Sequence, residues 1–210
     1  SYSDVTENTT IEDEMSIALD LIAKMPILMD GAYQAKRHKY DNASLIMHPL
    51  RPEENTAESI LSLIRNDRSY TKAEAQLLDT LLALHADHGS NNSTFTNHVV
   101  SSTGTDTYSA MAASLCALKG PRHGGANIKV IQMLDDIKAH VAHWENEGEV
   151  ADYLTKILRK EANDGSGLIY GMGHAVYTLS DPRAVILKRK AMALAAGKEI
   201  ERELRLLDTG

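Results

Sequence analysis

Three features of the sequence predict an all-α protein. Aromatic residues make up only 5% of the chain, β-branched residues rarely alternate with polar ones, and Ala, Leu, Met, Glu and Lys dominate the segments where apolar positions recur every three or four residues. With 43% of its 210 residues hydrophobic, the chain can bury a sizeable core in one large domain or two small ones.

The elements follow in order. The first ten residues are polar and read as a frayed end. Over 11–39, Met15, Ala18, Leu19, Ile22, Met25, Leu28 and Met29 keep helical spacing, and Pro26 is expected to kink or split that helix. Pro49 and Pro52 make 42–54 a loop, and 55–64 a short helix. Thr71 and Glu74 form a capping box ahead of a helix lined by Leu77, Leu78, Leu81, Leu82 and Leu84, with Gly89 as its terminator. Short helices are expected over 94–102 and 105–118, the second rich in small residues that permit close packing or a subunit contact. Further amphipathic helices are expected over 127–144 and 150–162. Asp181 and Pro182 serve as N-cap and first residue of a long helix reaching about Leu207.

Composition also removes function classes. The net charge is −7, and the basic residues are scattered, which argues against a nucleic-acid footprint. A single cysteine, Cys116, rules out a disulfide within the chain and fits a reducing compartment. No secretory signal opens the sequence and no apolar run reaches membrane-spanning length, so a cytoplasmic protein is expected.

Glycine-bordered histidines carry the chemistry. In LKGPRHGGAN, Gly120 and Pro121 stop one helix while Gly124 and Gly125 bare the backbone, leaving His123 on a corner before the next helix. The positive end of that helix disfavours imidazolium and favours a neutral ring that donates a hydrogen bond, while a capped turn with an incidental surface histidine fits the same residues. His88 falls in a last helical turn, where unpaired carbonyls favour a positive imidazole suited to an anion, whereas His85 is expected to bond locally. In GLIYGMGHAVYTLSDPR, Gly171 and Gly173 expose the backbone just before His174, as wrapping an extended cofactor requires and as a plain glycine-rich turn also does. Arg183 sits in the first turn of its helix, against the dipole, and needs an anionic partner from the protein or from a ligand.

Metal binding by His85, His88 and a third histidine is disfavoured, because no cysteine or repeated carboxylate stands at ligand spacing. His140 and His143 read as surface residues. No phosphate-loop or dinucleotide fingerprint is present. The remaining chemistry is polarisation of carbonyls by histidine together with binding of an anionic small molecule.

HADHGSNNSTFT, ALKGPRHGGAN and GMGHAVYTLSDPR, in this order and spacing, resemble three signature segments of the citrate synthase family, and the helices between them match it from about Met15 onward. The resemblance implies an all-helical homodimer without a permanently bound cofactor or metal, using acetyl-CoA as co-substrate and oxaloacetate as its partner. It implies that His88 binds oxaloacetate, His123 hydrogen-bonds the thioester oxygen during enolisation, His174 polarises the oxaloacetate ketone and Arg183 holds a carboxylate. Ile169, Tyr170, Gly171, Met172 and Gly173 would lie against coenzyme A. By the same resemblance residues 1–123 belong to the large domain and 124–210 to the small one.

The chain also departs from the family pattern. It stops before the family's catalytic aspartate and two further substrate arginines, and it starts inside the large domain, so it resembles a central fragment. Glutamate often follows the first motif histidine in the family, whereas Gly89 does here. Two alternatives stay open: a 2-methylcitrate synthase using propionyl-CoA, and a non-catalytic helical dimer that binds coenzyme A or regulates a partner.

Overall fold

The computed structural model describes residues 10–86, 89–172, 181–198 and 200–209. All secondary structure among them is helical. The helices are α1 (Ile11–Tyr40), α2 (Thr56–Ile64), α3 (Lys72–Ala86), α4 (Asn92–Ser101), α5 (Thr107–Leu118), α6 (Ala126–His140), α7 (Glu147–Leu158), α8 (Pro182–Ala195) and α9 (Ile200–Thr209). The expected all-α class is what the structure has. Two compact units divide the chain, one ending at Ala113 and the other beginning at Ser114, within α5.

In the first unit, local chemistry sets the helix starts. Thr10 and Asp13 cap α1 reciprocally, with the Asp13 amide donating to Thr10 Oγ1 at 3.2 Å and the Thr10 amide to Asp13 Oδ2 at 3.0 Å. Of the two outcomes expected at Pro26, a kink or a split, the split does not occur: α1 runs through it. Its ring is buried, on one face with the buried Asp30 and Gln34 one and two turns on. Packing there offsets the missing backbone donor. Gln34 Nε2 donates to Asp30 Oδ1 at 3.1 Å, so this polar pair satisfies part of its own hydrogen-bonding need.

α2 is the apolar centre of this unit, with Ala57, Ile60, Leu61 and Leu63 buried. Its approach is organised by Glu54, whose carboxylate accepts from Ser62 Oγ at 2.5 Å, Tyr70 Oη at 3.2 Å and Arg51 Nη1 at 3.2 Å. A carboxylate only 3% exposed needs such partners. The expected capping box of α3 is present: the Thr71 amide donates to Glu74 Oε2 at 2.7 Å and the Glu74 amide to Thr71 Oγ1 at 3.2 Å. Arg65 Nη2 adds a bond to Glu74 Oε1 at 2.9 Å. Together they hold the Glu74 carboxyl near a pKa of about 2, the Arg65 bond being the largest cause.

Two starts differ from the sequence expectation by a cap. α4 begins at Asn92 because Asn91 accepts from the Ser93 and Thr94 amides at 2.9 and 3.0 Å. α5 begins at Thr107 because Asp106 Oδ1 accepts from the Ser109 amide at 3.0 Å.

The second unit is built on α6, α7 and α9. Met133, Ile137 and Val141, Val150, Tyr153 and Ile157, and Leu206 form its buried cluster. α6 ends at His140, earlier than expected, since Val141 turns extended and is buried. α7 starts at Glu147, where the Asn146 side chain accepts from the Gly148 amide at 3.0 Å. Tyr153 Oη donates to Asp136 Oδ2 at 2.9 Å, and burial with this bond pushes the phenol up to about 12. The single long helix expected from 181 to 207 is two helices. Gly197 takes φ +72°, in the left-handed region, and the Lys198 amide donates to Ala195 O at 2.8 Å, which ends α8 before α9 begins. Lys138 Nζ pairs with Glu203 Oε1 at 2.6 Å, Arg202 pairs with Glu145, and the Arg202 guanidinium lies 5.2 Å from the Trp144 ring, holding α9 beside the turn between α6 and α7.

Candidate active site

Two of the three motif segments belong to the second unit. After α5 the chain turns tightly: the His123 amide donates to Gly120 O at 3.0 Å, and the Gly124 amide lies 3.0 Å from Leu118 O and 3.1 Å from Gly120 O. A side chain on either following glycine is excluded by backbone. A Cβ at Gly124 would stand 2.2 Å from Leu118 O, and one at Gly125 would stand 2.5 Å from Pro121 O. The corner expected from Gly120, Pro121 and the two following glycines is therefore real, and it leaves the half-buried His123 three residues before α6.

The segment carrying Ile169, Tyr170, Gly171 and Met172 lies on the same helix. Gly171 has φ +86°, a conformation that favours glycine, and a Cβ there would lie 3.1 Å from Val130 Cγ2, so the segment packs closely on α6. These four residues border a small apolar cavity of about 90 Å³ that is also lined by Val130 and Met133 of α6. The expectation of bared backbone at this point is met at Gly171.

Arg183 lies in the first turn of α8, whose expected N-cap and Pro start are both present. Its anionic partner in the structure comes from the protein. Arg183 Nη2 donates to Asp181 Oδ2 at 2.6 Å and Nε to Asp181 Oδ1 at 3.0 Å, while the same Oδ1 accepts the Arg183 amide at 2.8 Å. Asp181 thus caps the helix and aligns the guanidinium at once.

His88, Gly173 and His174 lie outside the described residues. His85 Nδ1 is 2.8 Å from Leu81 O, the local bond expected of it. His140 and His143 are exposed and contact Asp136 and Glu149, in keeping with surface roles. Among the described residues no group of three or more His, Cys, Asp and Glu side chains gathers as metal ligands do. Cys116 is a free, exposed thiol on α5.

Residues 1–209 match the family model described as citrate synthase, C-terminal domain. This chain belongs to the citrate synthase family. The citrate synthase of Haloferax volcanii is 36% identical to it over 200 residues, covering 93% of this chain and 47% of that protein. That of Corynebacterium glutamicum is 35% identical over 174 residues, covering 81% of this chain and 37% of the relative. The crystal structure of citrate synthase from Thermotoga maritima MSB8 aligns with a TM-score of 0.72 at 26% identity, over 98% of this chain and 54% of that one. The chain therefore spans about half the length, or less, of these citrate synthases. No helix among the described residues is long and apolar enough to cross a membrane.

Sequence reasoning missed one group beside the candidate site. Asp164 and Ser166 accept from the Tyr170 hydroxyl and Lys129 pairs with Asp164, and the turn chemistry of Asp164-Gly165-Ser166-Gly167 was the available signal.

Proposed function

We propose that the protein condenses acetyl-CoA with oxaloacetate and water to give citrate and coenzyme A, as an acyltransferase that converts the acyl group into an alkyl group on transfer. The observation that carries this reading is the convergence of two signature segments on one helix. The His123 corner leads into α6, and Gly171 rests on Val130 about one turn after that helix begins.

A carboxylate base, which the resemblance places beyond Gly210, takes a methyl proton from the thioester. His123 donates a hydrogen bond to the thioester oxygen as it gains enol character. The enol carbon then attacks the ketone carbon of oxaloacetate while His174 donates to the ketone oxygen. Water afterwards cleaves the thioester and releases the thiol. His88 and Arg183 hold oxaloacetate by its anionic groups, and residues 169–173 lie along coenzyme A. The residues up to His123 belong to the large domain and 124–210 to the small one, and the enzyme works as a homodimer with the small-residue surface of α5 in its contact.

A thiol-release assay with acetyl-CoA and oxaloacetate tests this reading. The full-length protein is expected to turn over, and residues 1–210 alone are expected not to, since His123 cannot both donate to the thioester oxygen and remove the methyl proton. Turnover by the full-length protein with propionyl-CoA alone would replace this reading with 2-methylcitrate synthesis. Absence of turnover with either thioester would favour a non-catalytic role.

A further inference from the structure

The segment proposed to lie along coenzyme A is held from outside by a polar cluster that makes no use of the motif histidines. Tyr170 Oη donates to Asp164 Oδ2 at 2.6 Å. The same oxygen accepts from Lys129 Nζ of α6 at 3.0 Å. Asp164 Oδ1 accepts the Ser166 amide at 3.1 Å, and Ser166 Oγ stands 3.2 Å from Tyr170 Oη. Lys129 Nζ also lies 5.6 Å from the centre of the Tyr170 ring. One carboxylate therefore links three places in the chain: its own turn, the first turn of α6, and the residue immediately before Gly171. Bonds from Ser166, Tyr170 and Lys129 hold the Asp164 carboxyl below the usual carboxylate range, so it stays ionised near neutrality.

Geometry gives this cluster a task. Gly171, next to Tyr170, is in the left-handed region and packs on Val130, next to Lys129. Two adjacent residues of the segment are thus seated on two adjacent residues of α6, one pair through charge and one through close packing. Glycine leaves the backbone many alternatives, and fixing Tyr170 removes most of them before a ligand arrives.

Resting on the coenzyme A reading of residues 169–173, we propose that Asp164 is a positioning residue for thioester binding, acting through Tyr170 and Lys129 to preset the backbone on which coenzyme A lies.

Kinetics of the full-length protein test this. D164A is expected to raise the KM for acetyl-CoA roughly tenfold, with kcat and the KM for oxaloacetate close to wild type, because one charge-assisted anchor is lost from one substrate's site only. Y170F should act in the same direction. The double variant D164A/Y170F should be no worse than D164A, since both changes cut one connection. D164N keeps an oxygen that accepts the Tyr170 hydroxyl but gives up the charge paired with Lys129, and should restore part of the affinity. Equal loss for both substrates in D164A, or no change in the KM for acetyl-CoA, overturns the proposal. G171A separates the two readings. If G171A raises the KM for acetyl-CoA while D164A does not, the segment binds coenzyme A but Asp164 does not position it. If neither variant moves it, the coenzyme A reading fails and takes the Asp164 proposal with it.

Discussion

Leu118 and Gly124 are in backbone contact: the Gly124 amide lies 3.0 Å from the Leu118 carbonyl oxygen, and a methyl group on Gly124 would stand 2.2 Å from that same oxygen. The hydrogen bond that closes the His123 corner is thus possible only with glycine there. G124A is expected to open the corner at a cost of about 1–3 kcal/mol, the usual range for overpacking. Displacing His123 should lower kcat/KM roughly a hundredfold. Thermal unfolding together with steady-state kinetics checks both, and a G124A variant with wild-type kcat/KM would remove the corner from the mechanism.

Arg183 is aligned by Asp181, with its side chain about one-fifth exposed. If it holds an oxaloacetate carboxylate, R183A should weaken oxaloacetate binding roughly tenfold to a hundredfold, the range for losing a charged hydrogen bond. Acetyl-CoA affinity should change far less. Calorimetric titration of the full-length protein with oxaloacetate decides this, and unchanged affinity would take Arg183 out of the site.

The Glu74 carboxyl is lowered from its ordinary 4.5 to about 2 by Arg65 and the Thr71 cap. A depressed carboxylate stabilises the fold above its unfolded pKa and ceases to do so as pH falls through the folded one. The contribution of Glu74 should therefore be full above about pH 4.5 and disappear by about pH 2. E74Q keeps a side chain able to cap α3 but has no charge. Its unfolding temperature should lie below wild type at pH 6, with the difference closing as pH falls through that window. A difference independent of pH would mean that the Arg65 pair contributes nothing electrostatic.

Leu206 is 5% exposed and joins α9 to the buried cluster of its unit. L206A should cost about 2–5 kcal/mol, as other buried leucine truncations do. Trp144 is the single tryptophan of the chain and has the Arg202 guanidinium of α9 beside its ring. Loosening α9 should shift the Trp144 emission to the red in residues 1–210 before global unfolding. An unshifted spectrum with full loss of stability would show that α9 does not detach separately.

Interactions spanning three or four residues were legible in the sequence. The Thr71 and Glu74 box, the Asp181 and Pro182 start of α8 and the corner at His123 each depend on residue types at short fixed spacing, and helical periodicity does the same for whole elements. The family, too, was carried by three short segments in order. The break at Gly197 was equally local but was masked by strong helix formers on both sides, so a continuous helix was expected where the chain takes a left-handed turn. Asn91 and Asp106 were missed as caps for a similar reason, since polar residues flanked them and several could have served.

Tertiary structure alone decided the partners. Periodicity identifies the buried face of a helix but not what covers it, so Glu54 meeting Tyr70, Tyr153 meeting Asp136 and Leu206 closing the α6 and α7 core depend on how the elements pack. The same holds at the candidate site. That Gly171 needs flexibility is a property of its neighbours in sequence, whereas its seat on Val130, and the Asp164 bridge from Tyr170 to Lys129, arise only when segments some forty residues apart are brought within hydrogen-bonding and van der Waals reach.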